Sequence, residues 1–210
     1  MDTENAVRHL KKADPDLGGL IRKVGPVILK VSRRRSIYAT LMQSVVYQQL
    51  SGQVADVIFH RFLDLFPGNS FPRPGEVLEI PVKRLRAAGL SGSKVAYIRN
   101  IAQGAIDGVV PDSRQAHRLS DEGLVERLTS IKGVGCWTVQ MLLIFRLGRP
   151  DVLPATDLGI QKGLSILKQL DTLPKPKEVQ RLAEVWKPHR TVASWYLWRA
   201  ADGKGGMLAG

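Results

Sequence analysis

Three features of this chain carry groups that could do chemistry. The first is Lys132-Gly133-Val134-Gly135, set in the spacing Leu128-x-x-Ile131-x-Gly133-Val134-Gly135-x-x-Thr138. Glycine tolerates positive φ and lets a backbone approach a partner closely. Amides at the start of a following helix point outward without an intrahelical acceptor. Such amides bind anions, a DNA phosphate among them, and Lys132 adds a cation beside them. The second feature is a small group of acids after that break: Asp151, Asp157 and Asp171. Asp157 directly precedes the amphipathic run Leu158 to Leu167, where an N-cap would fix its carboxylate at a helix start. Asp151 follows Gly148-Arg149-Pro150, a turn context in which Asp serves local hydrogen bonding, and reads as structural. The third feature is aromatic: Trp137 beside the glycine break and Trp198 near the end of the chain.

Other chemistries find little support. The single cysteine, Cys136, rules out an internal disulfide, a four-cysteine iron–sulfur cluster and a cysteine-based zinc site. His60, His117 and His189 show no metal-ligand spacing. No Walker-type phosphate loop is present, so no nucleotide cofactor is expected.

The elements that must position these residues read as helices. Ile37, Leu41 and Val45 recur at helical spacing, as do Val54, Val57, Ile58, Phe62 and Leu65, and Val95, Ile98, Ala102 and Ala105. Breaks fall at Phe66–Glu76, near Gly89, near Gly108 and in "DTLPKPKE". Leu119–Thr129 predicts one helix capped by Ser120, and a second is expected from about Cys136 to Leu147. The two form a hairpin around the glycines. Roughly ten helices with short connections give an all-α chain. "YQQLSGQ" (Tyr47–Gln53) lies between two of them, with Ser51 placed to cap the second and Gly52 to relax the turn.

Composition narrows the partners. Thirty-one Lys and Arg residues face 19 Asp and Glu, a net charge of +12. That balance favours polyanions, nucleic acid first. The polar start has no apolar signal region, and no stretch approaches the ~18 apolar residues of a membrane span. The expectation is a monomer without membrane contact. It would be cytoplasmic and nucleoid-associated in a bacterium, or nuclear in a eukaryote.

The hairpin pattern followed by "GRPDVLPATDLGIQKG" resembles the helix–hairpin–helix DNA glycosylases. "SVVYQQLSGQVA", "GCWTVQ" and "VWKPHRTVASWYLWRA" are similar to the alkylation-repair branch, the 3-methyladenine-DNA glycosylase II family. The resemblance covers about Ser36 to Ala200 and matches the compact form without an extra N-terminal sheet domain. It implies a two-lobed fold with the active site in the cleft between lobes. The expected lobes are 36–110, then 111–170 with the hairpin and the catalytic acid, with 1–35 and 171–200 completing the other lobe and 201–210 a loose tail. It implies Asp157 as catalytic residue, and a base pocket of Trp137, Met141, Leu158 and Trp198. Phosphate contacts fall on Lys132, Gly133, Val134, Gly135 and Thr138. A wedge that fills the hole left by a flipped base falls in the 47–53 loop: Gln49 first, Leu50 second, with Gln48 and Ser51 beside them.

The implied reaction is hydrolysis of the N-glycosidic bond of alkylated purines in duplex DNA. Breaking that bond builds positive charge on the sugar, which a fixed carboxylate stabilises. The bifunctional branch places a lysine where this chain has Trp137, and an indole forms no Schiff base, so no lyase step is expected. A cationic methylated base gains from an aromatic face. Many relatives carry a second acid at the position of Thr156. The resemblance brings no catalytic metal and no cofactor, with a structural monovalent cation at the hairpin carbonyls as a family trait. Two alternatives stay open: a non-enzymatic hairpin module that binds DNA, and a glycosylase for mismatched or deaminated pyrimidines.

Overall fold

The computed structural model describes residues 1–32, 34–68 and 70–203. Among them are thirteen α-helices and no strand. In chain order they are α1 (Thr3–Ala13), α2 (Pro15–Val24), α3 (Ile37–Tyr47), α4 (Gly52–Leu63), α5 (Pro74–Glu79), α6 (Val82–Ala87) and α7 (Gly92–Ile106). There follow α8 (Ser113–Arg118), α9 (Asp121–Thr129), α10 (Cys136–Leu142), α11 (Leu158–Lys168), α12 (Pro176–Leu182) and α13 (Arg190–Ala201). A π-helical turn (Leu143–Leu147) continues α10, and a 3-10 turn spans Glu184–Trp186. The all-α expectation holds. The helix number exceeds the roughly ten expected, because α5, α6, α8 and α12 have only six or seven residues, too few to show a period. Among the described residues no helix is long and apolar enough to cross a membrane.

The chain forms two compact units, one from Ser32 to Leu142, the other from Met1–Val31 with the chain from Leu143 onward. The segment 111–170, expected as one lobe, is therefore divided. The cause is packing: α10 lies against α9 and α3, whereas α11 lies against α13 and α2. Most of the expected tail, 204–210, lies outside the described residues, as does Arg33 of the basic run at 32–36.

In the Ser32–Leu142 unit, Leu41 and Val45 of α3, Ile98 and Ile101 of α7, and Leu124 and Leu128 of α9 are fully buried. Polar caps define the ends: Ser36 accepts from the Ala39 N–H, Ser91 from Lys94 and Ser120 from Gly123. The face of α4 differs from expectation. Ala55, Phe59 and Phe62 are buried, while Val54 and Val57 are exposed. Two apolar stripes overlap on this helix, and the aromatic one wins the core because Phe59 and Phe62 stack on each other and Phe59 meets Tyr47 edge-on.

The other unit is organised by α11 against α13. A Cβ at Gly163 would stand 2.1 Å from the Leu197 carbonyl oxygen, so the two backbones touch there. Asp14 links the remaining pieces. It caps α2, and its carboxylate accepts from the Trp186 indole at 2.9 Å and from Lys168 at 2.8 Å.

Candidate functional site

The hairpin forms as its sequence requires. α9 ends at Thr129, the Ile131 N–H donates to the Leu128 carbonyl, and the Val134 N–H donates to the Ile131 carbonyl at 2.9 Å. Gly133 has φ +106°, and a Cβ there would lie 2.2 Å from Cγ of Tyr97. Any other residue at 133 would meet both a strained backbone and an aromatic ring. Gly135 is different. Its φ is not positive and a Cβ would meet nothing within 4 Å, so the turn itself does not need it. The open space instead leaves its backbone accessible. Lys132 is exposed. Val134 and Thr138 are buried, and the Val134 amide donates within the turn, so a phosphate there would meet neither side chain.

Two side-chain amides hold the outer carbonyls of the turn. Nδ2 of Asn100 donates to Lys132 O at 3.0 Å, and Nε2 of Gln48 donates to Gly133 O at 3.4 Å. The Ile131 carbonyl, on the inner side of the turn, accepts from the Val134 N–H.

Gln48 thus faces the hairpin. The rest of its loop is a tight turn closed by the Leu50 N–H on the Tyr47 carbonyl, with Gln48 at φ −53°, ψ 130° and Gln49 at φ 57°. Gln49 occupies the left-handed corner that usually takes glycine. The positive φ of the turn falls there and not at Gly52, which is simply the first residue of α4. Gln49 and Leu50 are both exposed at the tip. Ser51 sits at the N-cap of α4, but its hydroxyl makes no capping bond. Lys94 of α7 braces the last turn of α3, just before the loop, by donating to the Val46 carbonyl at 2.6 Å, and burial holds its ammonium below its ordinary value. Trp137, at the start of α10, is 45% exposed, and Met141 one turn later is half-buried.

The carboxylate lies in the other unit. Asp157 caps α11: its Oδ1 accepts from the Ile160 N–H at 2.9 Å and from the Trp198 indole N–H at 2.9 Å. Its own N–H donates to the Pro154 carbonyl, fixing the approach to the helix. Glycine makes the indole contact possible, since a Cβ at Gly159 would stand 2.8 Å from Cδ1 of Trp198. Trp198 is only 7% exposed and stacks on Phe145 with ring centroids 5.9 Å apart. Its clearest contact is therefore with the carboxylate. Leu158 is exposed beside it, as is Thr156. Asp151 is structural, as expected. Burial pushes its carboxyl up, but the Arg190 guanidinium, bonded through Nε at 2.8 Å and a terminal nitrogen at 2.9 Å, outweighs this and holds it below its ordinary value.

Sequence reasoning missed Phe145, Gly159, Gly163, Lys94, Tyr97 and Asn100. Phe145 stands eight residues after Trp137, and Gly159 and Gly163 are four apart, so both spacings were visible. Nothing in the sequence distinguishes Asn100 from any polar residue on a helix.

The family described as "HhH-GPD superfamily base excision DNA repair protein" matches residues 42–188. The chain is 38% identical over 208 residues to DNA-3-methyladenine glycosylase 1 of Schizosaccharomyces pombe, covering 95% of this chain and 91% of that protein. It is 33% identical to the alkylbase DNA glycosidase-like protein mag2 of the same organism, over 94% of this chain and 93% of that one. Among solved structures it is similar to the S. pombe 3-methyladenine DNA glycosylase in complex with abasic DNA. There the TM-score is 0.82 at 39% identity, over 93% of this chain and 95% of that one. A DNA-3-methyladenine glycosidase from Bacillus halodurans gives a TM-score of 0.83 at 32% identity, over 93% and 88%. With a family match over most of its length and relatives this similar, the chain belongs to the HhH-GPD superfamily of base excision DNA repair proteins.

Proposed function

We propose that this protein is a monofunctional DNA glycosylase that hydrolyses the N-glycosidic bond of alkylated purines such as 3-methyladenine and 7-methylguanine in duplex DNA. The observation that carries this reading is the Asp157 carboxylate, fixed at a helix start by two N–H donors on one oxygen. The relatives named as 3-methyladenine-DNA glycosylases support the substrate class.

The chemistry follows from the groups present. As the C1′–N bond breaks, its electron pair leaves with the base and positive charge develops on the sugar. A carboxylate held in place stabilises that charge without reorganising at the moment of reaction. Water adds to C1′, Asp157 orients it, and its proton passes to the carboxylate or to solvent. A methylated cationic purine leaves as a neutral molecule, so the reaction asks little of a general acid. The exposed indole of Trp137 offers a cationic base an electron-rich face. It stands where a lyase would need a lysine, so the product is an intact abasic site. In the duplex, Lys132 and the amides of Gly133 and Gly135 hold a phosphate, and Gln49 or Leu50 fills the vacated stack.

Release of free base from methylated duplex DNA tests this reading, comparing wild type with Asp157→Asn. Asparagine keeps an acceptor for Ile160 and Trp198, so the cap survives while the charge is lost. The expected result is base release by wild type and a drop of about 10²–10³-fold in the variant, with binding to abasic-analogue duplex retained. Wild type that binds duplex and releases nothing would make the protein a binding module and return Asp157 to a helix cap.

A further inference from the structure

Tyr97 and Asn100 stand three residues apart on α7, and both touch the hairpin turn. The Tyr97 ring fills the space a Gly133 side chain would need, and Asn100 Nδ2 donates to the Lys132 carbonyl at 3.0 Å. A trans peptide unit is planar, with its C=O and N–H pointing in opposite directions. The only cis bond among the described residues is Lys187–Pro188. Drawing the Lys132 carbonyl towards Asn100 therefore turns the Gly133 N–H away from α7. Among the described residues that N–H meets no acceptor. The next peptide behaves differently. Gln48 holds the Gly133 carbonyl, and the Val134 N–H opposite is consumed by Ile131. One of two consecutive amides is used inside the turn, and the other is presented.

We propose that Asn100 is a positioning residue of the hairpin, orienting the Gly133 N–H outward to bind a nucleic-acid phosphate. This rests on the DNA-binding role given to the hairpin above, and on nothing about the base or the carboxylate. Asn100 touches no substrate; it acts through the Lys132–Gly133 peptide. Without it that peptide is free to rotate, and the amide is no longer aimed when the duplex arrives.

The test uses neutral methylphosphonate substitutions placed one at a time along a duplex that carries an abasic analogue. Affinities are measured by fluorescence anisotropy for wild type, Asn100→Leu, which loses the amide at similar volume, and Asn100→Gln, which keeps one on a longer arm. Asn100→Leu should bind the unmodified duplex about two- to tenfold more weakly, the worth of one net hydrogen bond. It should also lose the penalty that wild type shows at one phosphate and keep the penalties at the others, which is the coupling that a double-mutant cycle reads. Asn100→Gln should recover part of both.

Penalties unchanged from wild type in Asn100→Leu would overturn the inference, even if affinity or thermal unfolding had shifted, because a merely structural role predicts that pattern. A wild type insensitive at every phosphate would overturn it together with the DNA-binding role of the hairpin. The expected coupling in a protein that releases no alkylated base would uphold this inference while sinking the glycosylase reading.

Discussion

Trp198→Phe separates holding the carboxylate from holding the base. The substitution removes one N–H and keeps an aromatic ring against Phe145, so the stack at 5.9 Å and most of the buried volume survive. What is lost is the 2.9 Å bond from the indole to Oδ1 of Asp157. A hydrogen bond to a charged group contributes about 1.5–3 kcal/mol. Every ~1.4 kcal/mol of transition-state stabilisation is a factor of ten in rate. The Ile160 N–H still holds the same oxygen at 2.9 Å, which places the expected loss towards the lower end, at about 10- to 30-fold. The assay is single-turnover base release at saturating enzyme, run separately on adenine and guanine lesions, with the affinity for an abasic-analogue duplex measured alongside. A positioning role predicts the same rate loss for both bases and an affinity within about threefold of wild type. A base-holding role predicts unequal losses for the two bases and weakened lesion binding. A folded variant with a rate within about twofold of wild type would refute the claim that the indole N–H organises the carboxylate.

Other expectations follow from contacts with little room to move. Gly163→Ala should destabilise the protein by at least about 2 kcal/mol in denaturant unfolding, since its Cβ would meet the Leu197 backbone oxygen at 2.1 Å and not a side chain able to rotate away. Burial pushes the Asp14 carboxyl up, but hydrogen bonds from Lys168, Trp186 and the Leu17 N–H, with the Lys168 charge, outweigh it and hold it below its ordinary 3.8. The lowered value means its stabilisation is complete above that ordinary value and disappears as pH falls through the folded one. Asp14→Asn should cost about 2–4 kcal/mol at neutral pH, and urea unfolding between pH 7 and pH 3, near the ordinary range of carboxylates, should show a shallower acid decline than wild type. Gln49→Gly should remove left-handed strain at φ 57° and raise stability by up to about 1 kcal/mol. If Gln49 is the wedge, base release from duplex should fall in the same variant, and unchanged release would move that role to Leu50.

What could be read from the sequence was decided by how local the cause is. Gly133 and the α9 cap by Ser120 were legible because a glycine break and a serine before an apolar run carry their own backbone physics. Asp157 was legible as a cap for the same reason. The α4 face was not. Val54 and Val57 repeat at helical spacing just as Phe59 and Phe62 do, and only tertiary packing chooses between two stripes on one helix. Gln49 gave no hint of its left-handed φ, since glutamine rarely adopts it and here the surrounding turn imposes it. The tie between Asp157 and Trp198 spans 41 residues, and its enabling glycine looks in the sequence like an ordinary residue in a helix's first turn.

The two chemistry-bearing groups rest on the same device. In each unit a glycine without a side chain admits an aromatic ring against the backbone: Tyr97 at Gly133 and Trp198 at Gly159. At Gly159 the ring itself donates to the Asp157 carboxylate, whereas at Gly133 the ring only packs and Asn100, three residues along the same helix, holds the Lys132 carbonyl. The two sets of contacts share no residue: Asn100, Gln48 and Tyr97 hold the hairpin, whereas Ile160, Trp198 and Gly159 hold the carboxylate. Substitutions with no shared partner add in free energy. Asn100→Leu should therefore act on duplex affinity and Trp198→Phe on the chemical step, and the double variant should show the product of the two separate effects. Losses that multiplied to less than that product would mean that the hairpin and the carboxylate act as one unit during base release, and the division of labour drawn from the separate contacts would have to be given up.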